Sequence, residues 1–402
     1  MTENHKQPDS GTPDDNSTGV LFLKNPAEAR NSTEWFSSKI AGVPLLLRNL
    51  LTLQRAGIKT LAVFMDDPHG DLEKSFEKLL KDSRLPKNIP WINNVQQLKE
   101  WVQDNPTYIF NGSALHNKKA LHSLIHSHSK NESASAFPIN PDKLDELLTG
   151  NPTAMQSQQA GFPLYVPGAR EEEIQKSEDF KRLHEAQVGG SGLSHDSPIT
   201  RILSRPASRL LTRMFLNTPI SPNQITLISF FLGLVSAFLF SQGSYGTSII
   251  AAMLLVLSTW VDGADGEIAR LKFMETDIGK KLDIYCDNII HFLVFTAIGY
   301  GVYFKTDESI FLYLGGLAGL GGLTAFFLLS PILLEKRSPN NQLFHISEPE
   351  LAEKFANRDF IHFLLLVSVV DQMEIFIAVA AVGANLFAGY LIYSRLLKLR
   401  TA

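Results

Sequence analysis

The chain has 402 residues, enough for two or three domains of ordinary size, with 44% hydrophobic and 19% charged residues and a formal net charge of −4. So even a charge balance argues against a nucleic-acid binder, whose phosphate contacts need a concentrated basic face. The lone cysteine, Cys286, excludes an intramolecular disulfide framework and a multi-cysteine zinc site.

These averages hide two unlike halves. Before about Pro198 the chain is polar and rich in His, Asn, Ser and Lys; after about Ile220 long apolar runs dominate. Residues 1–17 carry acids and prolines but no apolar core, which predicts a disordered tail rather than a cleaved signal peptide. From Gly19 to about Pro141 strand-like and helix-like stretches alternate. Val20–Leu23, Thr60–Phe64 and Tyr108–Phe110 have the pattern of short buried strands, and Leu45–Ala56 and Lys118–His126 that of helices. The rhythm predicts an α/β domain with a parallel sheet over residues 18–170.

Within it, Ile40-Ala41-Gly42-Val43-Pro44-Leu45-Leu46, followed by Leu53-Gln54-Arg55-Ala56-Gly57-Ile58, resembles the sugar-phosphate nucleotidyltransferase family. There a small hydrophobic turn leads into a helix and then the second strand. The family's glycine-rich, arginine-containing loop is replaced here by Lys24-Asn25-Pro26-Ala27-Glu28-Ala29-Arg30, which has no glycine. Asn111-Gly112-Ser113 stands where the family's metal-binding aspartate is expected. The resemblance therefore implies a degenerate, inactive nucleotidyltransferase.

His116, His122, His126 and His128 lie close together without acids or cysteines nearby, as expected of a solvated helix face. Residues 171–199 are expected to form a charged helix (Glu171–Ala186) and a flexible linker at Gly189-Gly190-Ser191-Gly192. Ile202–Phe215, with Arg205, Arg209 and Arg213 every fourth residue, suggests a basic amphipathic helix on a membrane surface. Its arginines would meet lipid phosphates or a substrate phosphate.

Six apolar segments follow in the membrane domain, residues 200–402: Ile225–Phe240, Ser248–Val261, Ile284–Phe304, Ile310–Leu334, Phe360–Val370 and Ile375–Tyr393. Arg270, Lys272, Lys280 and Lys281 follow the second segment; Lys336, Arg337, Lys354 and Arg358 follow the fourth; Arg395, Lys398 and Arg400 end the chain. The opposite side offers only Lys305. By the positive-inside rule, both termini and the N-terminal half lie in the cytoplasm, with the chain multi-pass in the cell (inner) membrane.

The stretch from the second segment into the third carries Asp262, Asp265, Gly266, Ala269, Arg270, Gly279, Asp283 and Asp287. On helices, spacings of three and four place each aspartate pair on one face, with Gly266 on the face of Asp262. Four carboxylates near hydrocarbon are costly unless paired or metal-bound. Hard divalent cations take oxygen ligands, and two facing pairs could hold two ions, the arrangement that clamps both oxygens of an in-line phosphoryl displacement. A polar helix cap with solvated acids would explain one pair but not the whole set. At the entry to the first segment, Ser221 can cap a helix and Pro222 suits its first turn.

The complete pattern Asp262-x-x-Asp265-Gly266-x-x-Ala269-Arg270, eight residues, Gly279-x-x-x-Asp283-x-x-x-Asp287 resembles the CDP-alcohol phosphotransferase signature. The resemblance, from about Thr200 onward, implies six transmembrane helices around a cytoplasm-facing cavity, two Mg²⁺ or Mn²⁺ ions, a CDP-alcohol donor, an alcohol or phospho-alcohol acceptor, membrane lipid around the spans and a homodimer. It implies Asp262, Asp265, Asp283 and Asp287 as metal ligands, with Asp287 also general base. Gly266 and Ala269 would leave room for the cytidine, and Arg270 and Gly279 complete the CDP-binding motif. Asn223 and Thr226, in a Pro-Asn-x-x-Thr that the family often shares, would shape the nucleotide end or serve only in capping. Lys280, Lys281 and Arg358 would dock an acceptor phosphate or act as positive-inside anchors.

The pairing of the two domains resembles bifunctional enzymes that make CDP-inositol and then di-inositol phosphate phosphate. A phospholipid synthase using CDP-diacylglycerol would share the same motif. The alternative from another class is an ion- or proton-coupled transporter using the intramembrane aspartates. Its broken helices in matching halves are not evident. A third reading makes the first domain a sensor or assembly module and leaves the aspartates without chemistry.

Overall fold

Hydrogen bonding between buried, β-branched and aromatic runs builds the first half of the chain around one sheet. The computed structural model describes residues 17–67, 69–104, 106–126, 136–149, 155–157, 161–190, 200–334 and 359–401. It divides into two compact units, Met1–Gln187 and Val188–Ala402.

In the first unit the strands are β1 (Thr18–Phe22), β2 (Lys39–Ile40), β3 (Val43–Pro44), β4 (Thr60–Phe64), β5 (Trp91–Ile92), β6 (Thr107–Asn111), β7 (Phe137–Pro138) and β8 (Leu164–Val166). The main sheet has the order β5-β4-β1-β6-β8-β7. It is parallel except for β7, which runs antiparallel to β8 at the edge. Every residue of β1 is buried, as expected when helices cover both faces of a parallel sheet.

The helices of this unit are α1 (Ser32–Ser37), α2 (Leu45–Ala56), α3 (Asp71–Leu80), α4 (Val95–Asp104), α5 (Lys118–His126), α6 (Glu146–Thr149) and α7 (Ser177–Gly190). Gly57, left-handed at φ 112°, stops α2 two residues before β4 approaches, which is why the sequence signals both elements sharply.

Two local expectations are corrected. His116 is buried rather than solvated: its Nε2 lies 2.9 Å from the Asn111 carbonyl. His122 is exposed, whereas His128 lies outside the described residues. Gly189 and Gly190 continue α7 instead of opening a linker, because helical hydrogen bonding tolerates glycine at about 1 kcal/mol each near a helix end.

The second unit contains α8 (Arg205–Leu216), entered through a π-helical turn at Thr200–Ser204, then α9 (Pro222–Phe240), α10 (Tyr245–Leu271), α11 (Asp277–Thr306), α12 (Ile310–Leu334), α13 (Asp359–Val369) and α14 (Met373–Thr401). Five helices are long and apolar enough to cross a membrane, and α13 is a shorter apolar one. Large apolar side chains such as Phe231, Phe238, Leu320 and Leu386 stand exposed along them, as in a multi-pass membrane domain. Serines bridge neighbouring helices: Ser236 Oγ donates to the Ala251 carbonyl at 2.7 Å, and Ser258 Oγ to the Ser229 carbonyl at 2.8 Å.

The three connections poor in Lys and Arg meet at one end of this unit. Lys305 pairs with Asp371 at 3.0 Å, the Tyr245 hydroxyl donates to the Val369 carbonyl at 2.9 Å, and Gly243 packs on Gly301. A Cβ at Gly301 would stand 2.1 Å from the Phe240 carbonyl oxygen, so backbone lies directly against backbone. Gly301→Ala is expected to lower stability by about 1–3 kcal/mol through overpacking, read as a lower melting temperature in detergent. An unchanged melting curve would refute the close approach.

The basic amphipathic helix expected over Ile202–Phe215 is α8, and its arginines are used unequally. In α8 the buried side chains are Ser208, Thr212 and Leu216, while Leu210 and Met214 are exposed. Leu211 and Phe215 pack inward beside the buried side chains, and Arg213 is exposed. Arg205 and Arg209 meet protein partners: Arg205 pairs with Glu267, and Arg209 Nη2 donates to the Gly189 carbonyl at 2.8 Å.

Candidate metal and nucleotide site

The acids expected at the ends of two spans lie inside continuous helices. α10 runs 27 residues, well past Val261, and α11 begins at Asp277, ahead of Ile284. Buried surroundings keep these turns helical although their polar residues end the hydropathic signal. Thr276 caps α11 by accepting from Gly279 N at 3.0 Å. Ser221 and Gln224 form a capping box that starts α9, with Pro222 in its first turn.

These starts and ends bring three carboxylates together. Asp262 and Asp265 on α10 and Asp283 on α11 each offer an oxygen, and the three oxygens lie within 4.8 Å of one another. Asp262 and Asp265 are only 7% and 6% exposed, so water cannot dissipate their charge. Among the described residues this is the only such group. Three converging carboxylate oxygens make a donor set that fits a hard divalent cation. Asp265 also accepts a hydrogen bond from Thr226 Oγ1, and Ser229 Oγ stands 3.5 Å from Asp262.

Asp287 does not join that group. Four residues after Asp283, it lines a narrow cleft with Asp262, Ser229 and His291, and a separate, mainly apolar cavity of about 320 Å³.

A cavity of about 620 Å³ borders the cluster. Asp265 and Asp283 line it together with Asn223, Thr226, Gly266, Ala269, Arg270, Gly279 and Lys280. Most of the residues expected around a nucleotide thus share one wall. A Cβ on Gly279 would stand 2.8 Å from Asn223 Oδ1, so glycine there lets α11 approach α9. Lys281 is exposed on α11 and does not line this cavity, and Arg358 lies outside the described residues.

Sequence reasoning missed Glu267. Fully buried, it accepts from Arg205 Nη1 at 2.6 Å and from Thr212 Oγ1 at 2.7 Å, on the side of α10 facing α8. Its one legible signal was an acid between the motif aspartates and Arg270, facing a helix rich in serine, threonine and arginine. His291, one turn beyond Asp287, was also passed over; its ring packs edge-on against Phe360, with centroids 5.1 Å apart.

Residues 219–345 match the profile of the CDP-alcohol phosphatidyltransferase family, so the chain carries that domain. Among curated relatives, the bifunctional IPC transferase and DIPP synthase of Archaeoglobus fulgidus is 35% identical over 146 residues, covering 35% of this chain and 28% of that protein. Its namesake from Rubrobacter xylanophilus is 31% identical over 136 residues, 34% of this chain and 30% of that one. The matches thus span less than a third of these relatives' length. A solved structure, Mycobacterium tuberculosis phosphatidylinositol phosphate synthase with CDP-DAG bound, aligns with 17% identity and a TM-score of 0.34. That alignment covers 47% of this chain and 92% of the synthase.

Proposed function

We propose that this protein is a membrane transferase that moves a phospho-alcohol group from a CDP-alcohol to an acceptor hydroxyl and releases CMP. The observation that carries the proposal is the meeting of Asp262, Asp265 and Asp283 beside the 620 Å³ cavity, within a CDP-alcohol phosphatidyltransferase domain. The three aspartates, with Asp287 at the edge of the set, hold two divalent ions, Mg²⁺ or Mn²⁺. When bound, these supply positive charge against the donor's pyrophosphate oxygens.

The chain's own residues do the rest. Gly266 and Ala269 leave room for the cytidine ring, and Asn223, Thr226, Arg270 and Gly279 shape the same wall. Thr226, by donating to Asp265, keeps that carboxylate aimed at the cluster. Asp287 accepts the proton of the acceptor hydroxyl as its oxygen bonds to phosphorus and the bond to the CMP oxygen breaks. Lys280, Lys281 and Arg358 attract a phosphorylated acceptor.

Donor and acceptor are of the inositol phosphate type, in keeping with the names of the relatives, and CDP-diacylglycerol is the competing donor. The protein has six spans with both termini in the cytoplasm, sits in the cell membrane and works as a homodimer. Residues 18–170 form a nucleotidyltransferase-like domain without its transfer activity. Support for that last point comes from the neutral Asn111 at the end of β6.

The test is to incubate purified protein with Mg²⁺ and labelled CDP-inositol or CDP-diacylglycerol and follow CMP. Release that needs both an alcohol and the divalent ion is expected. No release from any CDP donor would overturn the assignment and favour a transporter.

A further inference from the structure

Asp287 lines the narrow cleft it shares with Asp262 and the apolar cavity of about 320 Å³, and it does not line the 620 Å³ cavity proposed for the nucleotide. The two larger cavities have no lining residue in common. One is walled by α9, α10, the α10–α11 connection and the first turns of α11; the other by later turns of α11, by α12 and α14, and by Phe360 of α13. In an in-line displacement the acceptor oxygen enters opposite the oxygen that leaves. With CMP departing into the 620 Å³ cavity, the space left to the acceptor at Asp287 is the apolar one.

The chemistry of that space is specific. Apart from Asp287, Asn288 and His291, every residue lining it is apolar or glycine, Phe292, Phe295 and Phe326 among them, and neither lysine nor arginine takes part. A phosphate or a bare sugar buried there would give up its water without gaining partners. The three polar residues are gathered within about one turn of α11, whereas Phe295 stands two turns beyond Asp287, about 12 Å along the helix. The His291 ring meets Phe360 edge-on, and Phe360 stacks on Phe295 with centroids 5.8 Å apart. Polar groups collected at the base, with hydrocarbon walls over the rest, suit an amphiphile in a site of ordinary ligand size.

The helices also leave room for it. A Cβ on Gly322 of α12 or Gly383 of α14 would meet nothing within 4 Å, so both positions open onto space. Gly319 differs: a Cβ there would stand 2.8 Å from the Phe292 ring, so that glycine serves helix packing.

We infer that the acceptor is an alcohol with a hydrocarbon body, a membrane lipid whose hydroxyl lies at Asp287 while its chain fills the cavity between α11, α12 and α14. The hydroxyl oxygen bonds to the donor phosphorus, its proton passes to Asp287, and the bond from phosphorus to the CMP oxygen breaks. CMP leaves and the product stays in the membrane. This rests on the transferase reading and narrows its acceptor: whatever polar head surrounds the hydroxyl, the cavity holds the chain.

The test uses the full chain in phosphatidylcholine nanodiscs with Mg²⁺ and either labelled CDP-inositol or labelled CDP-diacylglycerol. Each donor is paired with a soluble acceptor (inositol phosphate or glycerol phosphate) or a lipid acceptor (diacylglycerol or phosphatidylinositol) at matched amounts, and CMP is followed. Lipid acceptors are expected to support release about tenfold or more faster than soluble ones. Gly322→Leu and Gly383→Leu, made separately, fill the cavity from two different helices. Each is expected to cut lipid-dependent release by about tenfold or more, with CDP-donor binding within a few-fold of the parent. Soluble acceptors serving as well as lipids, full lipid-dependent release in both leucine variants, or donor binding lost together with release in both would overturn the inference and leave the transferase reading standing. No CMP from any pairing would overturn both.

Discussion

Asp287→Asn is expected to cut alcohol-dependent CMP release by about 10²–10⁴-fold, the usual worth of a positioned general base, while CDP-donor affinity stays within a few-fold of the parent. The separation follows from geometry. Asp262, Asp265 and Asp283 share one focus, whereas Asp287 stands outside that trio and lines the cleft beside Asp262. Asparagine keeps the size and hydrogen-bonding reach of the side chain but cannot accept the proton. Asp262→Asn is expected to differ, weakening metal and donor together because it removes charge from the focus itself. Equilibrium binding of a CDP-alcohol, set against CMP release over a Mg²⁺ series, separates the two. Normal turnover in the Asp287 variant would remove it as base.

Glu267→Ala should produce the largest loss of stability in the membrane unit, about 3–5 kcal/mol. The carboxylate has no solvent exposure, and the Arg205 side chain is 14% exposed. Removing the acid takes away the carboxylate that the Arg205 guanidinium pairs with and leaves the Thr212 hydroxyl without its acceptor. The reverse change, Arg205→Met, should be costly as well, since it leaves the Glu267 charge buried. Replacing both (Glu267→Leu with Arg205→Met) should recover much of the loss, because a buried pair is often matched by well-packed apolar groups. Melting curves of the parent, Glu267→Leu, Arg205→Met and the double variant in one detergent provide the double-mutant cycle. If the single changes each cost less than about 1 kcal/mol, the pair is solvated and its structural role is lost.

Both expectations rest on residues the sequence reveals unequally. The aspartates could be read because their spacing repeats the turn of a helix, and α2, β4 and α5 because periodicity and a stop at Gly57 agree. Glu267 could not, since its partner Arg205 lies 62 residues away and nothing local joins them. Arg205, Arg209 and Arg213 read alike as a stripe for lipid or substrate phosphate, whereas Arg205 pairs with Glu267 and Arg213 stays exposed. The lengths of α10 and α11 were underestimated for a related reason. Hydropathy records what a side chain prefers, whereas these turns stay helical because their acids face a shared interior. His116 shows the same limit: its burial depends on the packing of Phe110 and the Asn111 carbonyl.

The exposed Leu210 and Met214 of α8 bear on how this protein can be handled. Leu210 and Met214 are 60% and 62% exposed, a surface that hydrocarbon from lipid or detergent would cover. Since the opposite face of α8 grips α10 through Glu267, stripping that hydrocarbon away would loosen the backing of the aspartate-bearing helix. Delipidation should therefore erode catalysis before it unfolds the spans.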